Sequence, residues 1–194
     1  NINSAVDELL KREFDQCRNA GVAHPYMTDA GIKAIPANHS DLDQWRKNFV
    51  GVSYLHPATK FEFFGAIDDL WLGEDGEYLV VDYKATAKKD EVNLDADWQI
   101  SYKRQMEIYQ WLLRKNGLPI SNRGWFVYCN GKRDLNRFDN KVEFRVSLLP
   151  YDGNDDWVET ALIEAKETLN RDDLPPPDEN CDFCTYRQET AVFE

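Results

Sequence analysis

The sequence predicts an α/β protein with a central mixed β-sheet flanked by helices. Its hydrophobic patterns follow one another in the order helix, two strands, helix, two strands, helix. The chain has 194 residues and 42% apolar side chains, enough for one domain with a sizeable core. We find no apolar run of about 18 residues and no signal-peptide pattern, so we expect a cytoplasmic protein that does not associate with membranes.

A first helix is predicted over residues 3–20, where apolar side chains recur at helical spacing before Gly21 provides a stop. The apolar stripe consists of Val6, Leu9, Leu10, Phe14 and Cys17. Asp7 lies beside this stripe. It is either turned partly inward or a surface carboxylate that favours the helix dipole.

The stretch 21–59 is predicted to be mostly loop, because it contains several prolines and glycines. We expect one short helix near residues 41–49, capped by Ser40 or Asp41. The 3 histidines of the chain also fall in this stretch. Their spacing is not that of metal ligands, so we expect them to be surface residues.

A β-hairpin is predicted in the middle of the chain, and the other elements are arranged around it. Two runs rich in aromatic and β-branched residues, 61–72 and 78–86, flank a polar turn at 73–76 with glycine at both ends. Folding the chain about this turn brings Asp68 to within about one residue of Asp82 on the neighbouring strand. Two carboxylates are therefore expected to face each other.

A charged pair is predicted at the end of the second hairpin strand. Asp82 and Lys84 share one face of the strand, and Tyr83 points to the other. The apolar run 79–81 is typical of a strand covered on both sides, where charges are costly unless they are paired or bind a metal. Facing carboxylates are usual ligands of hard cations, and a lysine beside them can stabilise charge developing on a phosphate. This set is typical of phosphodiester hydrolysis.

A long helix is predicted over residues 99–116, ended by Gly117 and Pro119. Its apolar side consists of Tyr102, Met106, Tyr109, Leu112 and Leu113. Gln105 and Tyr109 are four residues apart and so share a face. The alternative for this pair is a solvent-facing glutamine beside a core tyrosine.

The last part of the predicted domain is two strands and a helix. The strands are expected at 124–130 and 142–149, the second with the alternation of a half-exposed strand, and the helix at 154–169. The helix would present Trp157, Ala161, Leu162, Ala165 and Leu169 to the core.

The net charge of −12 argues against binding through a broad basic surface. Basic residues are nevertheless clustered locally and would suit one groove, the alternative being scattered solvated charge. The clusters are Lys84, Lys88 and Lys89; Lys103 and Arg104; Arg114 and Lys115; and Lys132, Arg133 and Arg137.

Three motifs in the middle of the chain carry a family resemblance. Gly65-Ala66-Ile67-Asp68, Val81-Asp82-Tyr83-Lys84 and Gln105 followed four residues later by Tyr109 occur in this order at domain-compatible spacing. Together they resemble the RecB-like branch of the PD-(D/E)XK nuclease superfamily, which includes CRISPR-associated exonucleases. The resemblance implies a restriction-endonuclease-like core.

The resemblance also implies a metal-dependent nuclease centre. Asp68 and Asp82 would hold Mg²⁺ or Mn²⁺ together with the backbone carbonyl of Tyr83, and Lys84 would orient the attacking water or meet the developing negative charge. Asp69 competes with Asp68 for the ligand role, because a slip of one residue in the hairpin exchanges their faces. The family pattern selects Asp68.

Further site residues follow from the same resemblance and from the basic clusters. Gln105 and Tyr109 would place the scissile strand, and Lys88 and Lys103 are the candidates for substrate binding. RecB-like nucleases often have a metal-binding histidine on their first helix. Asp7 falls near that place and is the corresponding candidate ligand.

The tail 174–194 is predicted to be a C-terminal extension of a single domain 1–194. It contains Cys181-Asp182-Phe183-Cys184, which by itself is ambiguous between a metal half-site, a redox pair and chance. Some RecB-like nucleases close their fold with a four-cysteine iron–sulfur cluster. The last three of these cysteines lie in a C-terminal segment, and here no cysteine occurs near Thr190, where the third of those three would be expected, so we expect no cluster.

The resulting functional hypothesis is a Mg²⁺-dependent deoxyribonuclease, a RecB-like exonuclease of DNA repair, recombination or defence. Its partners would be single- or double-stranded DNA and a helicase or CRISPR-type protein. One alternative is a catalytically silent nucleic-acid-binding or scaffold module with the same fold. Another is an iron–sulfur or zinc protein whose function depends on the tail cysteines.

Overall fold

The computed structural model describes residues 2–178 and 180–191 of the chain. Its strands are β1 (Ala34–Pro36), β2 (Val52–Leu55), β3 (Glu62–Gly65), β4 (Asp69–Gly73), β5 (Tyr78–Thr86), β6 (Arg123–Gly131) and β7 (Phe144–Asp152). Its helices are α1 (Ile2–Ala20), α2 (Pro25–Asp29), α3 (Leu42–Trp45), α4 (Ile100–Lys115), α5 (Asp156–Leu169) and α6 (Asp182–Thr190), with a 3₁₀ turn at Asp97–Gln99.

Five of these strands form one sheet in the order β1–β4–β5–β6–β7. The pair β5 and β6 is parallel and the other neighbours are antiparallel, which confirms the predicted α/β fold with a mixed sheet. Val80 packs in a core with α4 and α5, whereas Val81 packs in a second core with α1 and α2. Helices therefore cover both faces of the sheet.

The predicted hairpin is present, but its first strand is shorter than expected. Asp69 lies opposite Val81 and Leu72 opposite Tyr78, across a turn in which Gly76 has a φ of +84°. The prediction of a single strand over residues 61–72 is wrong. The first part of this run is β3, which pairs with β2 in a separate two-stranded sheet, and the chain changes direction between β3 and β4.

The predicted helices are present, but two of their apolar faces were misplaced. On α1, Leu9 is 60% exposed and Arg18 is buried, because Arg18 pairs with acidic and carbonyl groups inside the protein. On α5, Leu169 is 72% exposed and Val158 is buried. In both helices the buried face is rotated relative to the stripe that hydrophobicity alone indicated.

The stretch 21–59 contains the predicted short helix, α3, and in addition α2, β1 and β2, which were not predicted. Asp41 stands at the N-cap of α3, but its side chain does not cap the helix. The expectation that the histidines lie at the surface was wrong for two of them. His24 and His56 are buried because each has polar partners, among them Glu13 and Glu159 respectively.

In the tail, Cys181 precedes α6, and its sulfur accepts a hydrogen bond of 3.4 Å from the backbone nitrogen of Cys184. Both thiols are free, and Cys129 lies in the core beside the sheet. Residues 179 and 192–194 of the predicted extension lie outside the described residues. Among the helices described, none is both long and apolar enough to cross a membrane.

Candidate active site

The site lies at the start of β4. Because Asp69 is the first residue of β4 and lies opposite Val81, Asp68 comes opposite Asp82 just outside the ladder. In place of a strand partner, Asp68 Oδ2 accepts a hydrogen bond of 2.8 Å from the backbone nitrogen of Tyr83. The N–H and C=O groups of one strand residue point to the same side, so the carbonyl of Tyr83 also points past the end of β4.

Asp82 carries a buried carboxylate beside Lys84. The residue is 2% exposed, and Lys84 Nζ lies 2.5 Å from its Oδ2. Among the described residues, no group other than this ammonium binds Asp82 Oδ2. Burial raises the pKa of Asp82 to about 7. The charge of Lys84 lowers this pKa, but less than burial raises it, and the charge of Asp68 raises it further. A cation or a proton at this oxygen would relieve the cost of burial.

Lys84 is connected to the third motif by hydrogen bonds. Lys84 Nζ donates to Gln105 Oε1 at 3.1 Å, and Gln105 Nε2 donates to the hydroxyl of Tyr109 at 2.8 Å. Tyr109 is 8% exposed. Burial, with the charges of Asp82 and Asp68, raises the pKa of Tyr109, so its hydroxyl stays protonated. The structure thus joins Lys84, Gln105 and Tyr109 in one chain, with Tyr109 behind Gln105.

Asp69 faces away from this set and into a buried ionic network. Arg46 Nη2 donates to Asp69 Oδ1 at 2.7 Å, the Tyr83 hydroxyl donates to Oδ2 at 2.8 Å, and Arg18 forms a further ion pair with the carboxylate. Arg46 Nε also donates to the backbone oxygen of Asp68 at 2.9 Å. These contacts hold the two adjacent aspartates on opposite sides of the chain. Asp69 therefore has its partners already, whereas Asp68 is directed to the open edge.

Lys11 is a site residue that the sequence reasoning missed. Its Nζ lies 2.8 Å from Asp7 Oδ2 and 3.6 Å from Asp68 Oδ1. The signal was present in the sequence as a carboxylate and a lysine four residues apart on one helix, which places them on the same face. Asp7 is thus joined to Asp68 through Lys11. Arg46 was missed too, and no sequence pattern pointed to it.

A cleft of about 520 Å³ lies over these residues. Its lining includes Asp7, Asp68, Tyr83, Lys84 and Tyr102, while Asp82 is buried beneath it.

The two other lysines predicted to bind substrate lie elsewhere. Lys103 Nζ is 5.9 Å from the centre of the Tyr151 ring, and Lys88 Nζ is 5.0 Å from that of Trp98. Neither of these lysines lines the cleft.

The comparisons with known proteins bear on this arrangement. A model of the PD-(D/E)XK nuclease superfamily matches residues 2–188, which include every element of the sheet and all three motifs. The chain belongs to the PD-(D/E)XK nuclease superfamily. A solved structure entitled "Crystal structure of SSO0001" is similar at 19% identity and a TM-score of 0.37, over 66% of this chain and 50% of that one. This nuclease-family chain thus spans about half the length of that protein. None of the curated proteins matches the chain.

Nucleases of the PD-(D/E)XK superfamily typically use divalent metal ions, and the residues present fit such an ion. Within the described part of the chain, no three acidic, histidine or cysteine side chains form a metal-binding group. Mg²⁺ needs no such group, because it keeps several waters and binds one or two carboxylates together with substrate phosphates. Asp68, the carboxylate of Asp82 and the carbonyl of Tyr83 offer this kind of donor set.

Proposed function

We propose that this PD-(D/E)XK protein is a metal-dependent deoxyribonuclease of the RecB-like branch that hydrolyses phosphodiester bonds. One observation carries the proposal: β4 begins only at Asp69, so that the Asp68 side chain takes over the backbone hydrogen bond of Tyr83 and meets Asp82 at an open strand edge. Lys84 is held at the same place by Gln105.

The donors for the metal ion would be Asp68, Asp82 and the carbonyl of Tyr83. The ion, Mg²⁺ or Mn²⁺, would supply a nucleophilic hydroxide near neutral pH and neutralise charge on the phosphate. Asp7 would become a further donor where the ion displaces Lys11, whose ammonium contacts both Asp7 and Asp68.

The chain's own residues would orient the reaction. Lys84 carries a positive charge on the face shared with Asp82, where it can hold a water or a non-bridging phosphate oxygen. Gln105 fixes the position of this ammonium, and Tyr109 fixes Gln105, because each accepts one hydrogen bond from the preceding side chain. Gln105 and Lys84 are then the groups next to the scissile strand, and Tyr109 supports them from the buried side.

The RecB-like assignment within the superfamily rests on the three motifs and on their proximity in space. Gly65, Lys84 and Tyr109 stand far apart in sequence, yet Tyr109 contacts Gly65 and is linked to Lys84 through Gln105. An exonuclease of DNA repair, recombination or defence, acting with a helicase or CRISPR-type partner, belongs to the same proposal.

The test is a cleavage assay on single- and double-stranded DNA with Mg²⁺, with Mn²⁺ and with EDTA. The unaltered protein is expected to cleave only with a divalent ion, and Lys84→Ala and Asp82→Asn are each expected to reduce the rate about a hundredfold or more. Lys33→Ala serves as a control, because Lys33 is exposed next to β1 at the opposite end of the sheet.

Two outcomes would overturn the proposal. Equal cleavage by all variants would assign the activity to another site or to a contaminant. Binding of DNA without cleavage under any metal condition would assign the chain to the non-catalytic alternative.

A further inference from the structure

A second pocket, which we call the basic pocket, opens where β5 and β6 end and β7 begins. Its volume is about 500 Å³. Its charged lining consists of Lys88, Lys89, Lys132, Arg133 and Arg145, with Asp134 as the acidic member. In a chain with a net charge of −12, this concentration of positive charge indicates a site for an anion.

Much of this charge is not neutralised by the protein. Lys132 pairs with Glu143 at 3.1 Å. The side chains of Lys89 and Arg145, in contrast, form no ion pair or hydrogen bond with the residues that the structure describes. Because such cations are free to bind phosphate groups, the basic pocket can take a polyanion without first breaking internal contacts of these two residues.

A row of aromatic and cationic contacts connects the basic pocket to the candidate active site. Lys84 Nζ lies 4.4 Å from the centre of the Tyr102 ring, and that ring is 5.3 Å from the ring of Trp98. Trp98 in turn lies 5.0 Å from Nζ of Lys88, which lines the basic pocket. Trp98 is 53% exposed, so part of a large aromatic side chain is accessible beside the row.

We infer that the basic pocket and Trp98 bind a single-stranded segment of the nucleic acid whose phosphodiester is held over Asp82. Proteins that bind single strands combine a positively charged groove for the phosphates with aromatic side chains on which bases stack. A base can stack on Trp98 only when it has left its own helix. The inference rests on the proposed nuclease function for the position of the scissile bond.

The distances suit one continuous strand. Thr86, beside which the basic pocket opens, lies four positions after Asp82 on β5. At about 3.3 Å per residue this is about 13 Å, a distance that a few nucleotides of one strand can span. The basic pocket therefore holds the strand a few nucleotides away from the bond that is cut.

The experiment measures the binding of fluorescently labelled oligothymidylate by anisotropy, in EDTA so that no strand is cut. Lys89→Glu/Arg145→Glu is expected to weaken binding at least tenfold and to flatten the dependence of log K on log salt by about 1.4, for two lost phosphate contacts. Trp98→Ala is expected to weaken it about fivefold or more, and Trp98→Phe much less, because a phenyl ring still stacks. Lys33→Glu is the control for a charge reversal away from the basic pocket, and melting curves verify that each variant is folded.

Two results would overturn the inference. One is unchanged affinity of the double variant relative to Lys33→Glu. The other is a duplex of equal length that binds as tightly as the single strand and is insensitive to Trp98→Ala. Oligouridylate in a parallel arm identifies the sugar that the basic pocket prefers, and pocket-dependent binding of either strand supports the inference.

These results are separable from the nuclease proposal. Metal-dependent cleavage together with normal binding by the pocket variants would refute only the inference that the basic pocket binds nucleic acid. Pocket-dependent binding without any cleavage would refute only the proposed nuclease function.

Discussion

Gly65 lies directly against the ring of Tyr109: a Cβ atom at position 65 would come within 2.6 Å of Tyr109 Cε1. The first and third motifs are thus joined by a packing contact, because only glycine leaves room for the ring. Through Gln105, the same tyrosine positions Lys84 of the second motif. The contact gives a physical reason why these motifs occur together in one chain.

Gly65→Ala is therefore expected to displace Tyr109 and to lower both stability and cleavage. Overpacking of this kind typically costs about 1–3 kcal/mol, measured by denaturant unfolding. The double variant Gly65→Ala/Tyr109→Leu should lose less stability than the sum of the two single variants, because the smaller side chain relieves the clash. Strict additivity of the two losses would contradict this.

The neighbours Asp68 and Asp69 should respond oppositely to the same substitution. Asp68→Asn is expected to reduce metal-dependent cleavage about a hundredfold or more with little loss of stability. Asp69→Asn is expected to destabilise the protein by about 3–5 kcal/mol, since it unbalances a buried network containing Arg18 and Arg46. The paired measurements are cleavage rate and free energy of unfolding, and a stable, inactive Asp69→Asn would reverse our assignment.

Asp82 should make the metal-free protein less stable as the pH rises. Its pKa is about 7 in the folded state, above the ordinary value of about 3.9 in the unfolded chain, so between these values the folded state binds more protons. Stability is then lost as the pH rises from about 4 to about 7. Unfolding of the unaltered protein and of Asp82→Asn across this range measures the effect.

The free energy of unfolding of the unaltered protein, relative to Asp82→Asn, should fall by a few kcal/mol over that range, about 1.4 for each unit of pKa shift. The lost contact with Lys84 adds a constant offset and does not produce this slope. A difference that stays flat with pH would show that Asp82 titrates normally. Mn²⁺ affinity should rise over the same pH range, because the ion competes with the proton.

Lys11 should compete with the metal ion for Asp68. Lys11→Met keeps most of the side-chain stem but removes the ammonium that lies between Asp7 and Asp68, so we expect Mn²⁺ to bind about tenfold more tightly. Calorimetric titration of Mn²⁺ without nucleic acid measures this. Arg12→Met is the control, because Arg12 pairs with Glu8 on the exposed side of the same helix. Equal or weaker binding by Lys11→Met would mean that the ammonium assists the ion.

The sequence predicted the elements with strong local signals. The glycine-flanked turn at 73–76 set the hairpin register to within one residue, and helical periodicity gave α1, α4 and α5. The superfamily was recognised from three short motifs, and the family match confirms it.

The parts that were missed depend on contacts distant in sequence. Strands β1 and β2 are three and four residues long, too short for a periodic pattern. The break between β3 and β4 is not marked by a polar turn, because the chain changes direction around Ile67, which is buried. Arg46 acquires its role only when folding brings it to Asp68 and Asp69.

The most direct test of the central claim is the anomalous difference map of crystals grown with Mn²⁺. We predict a peak bound by carboxylate oxygens of both Asp68 and Asp82 at about 2.0–2.2 Å, the range for small hard cations. A map in which both carboxylates lack the ion, or in which the ion is bound elsewhere, would contradict the account.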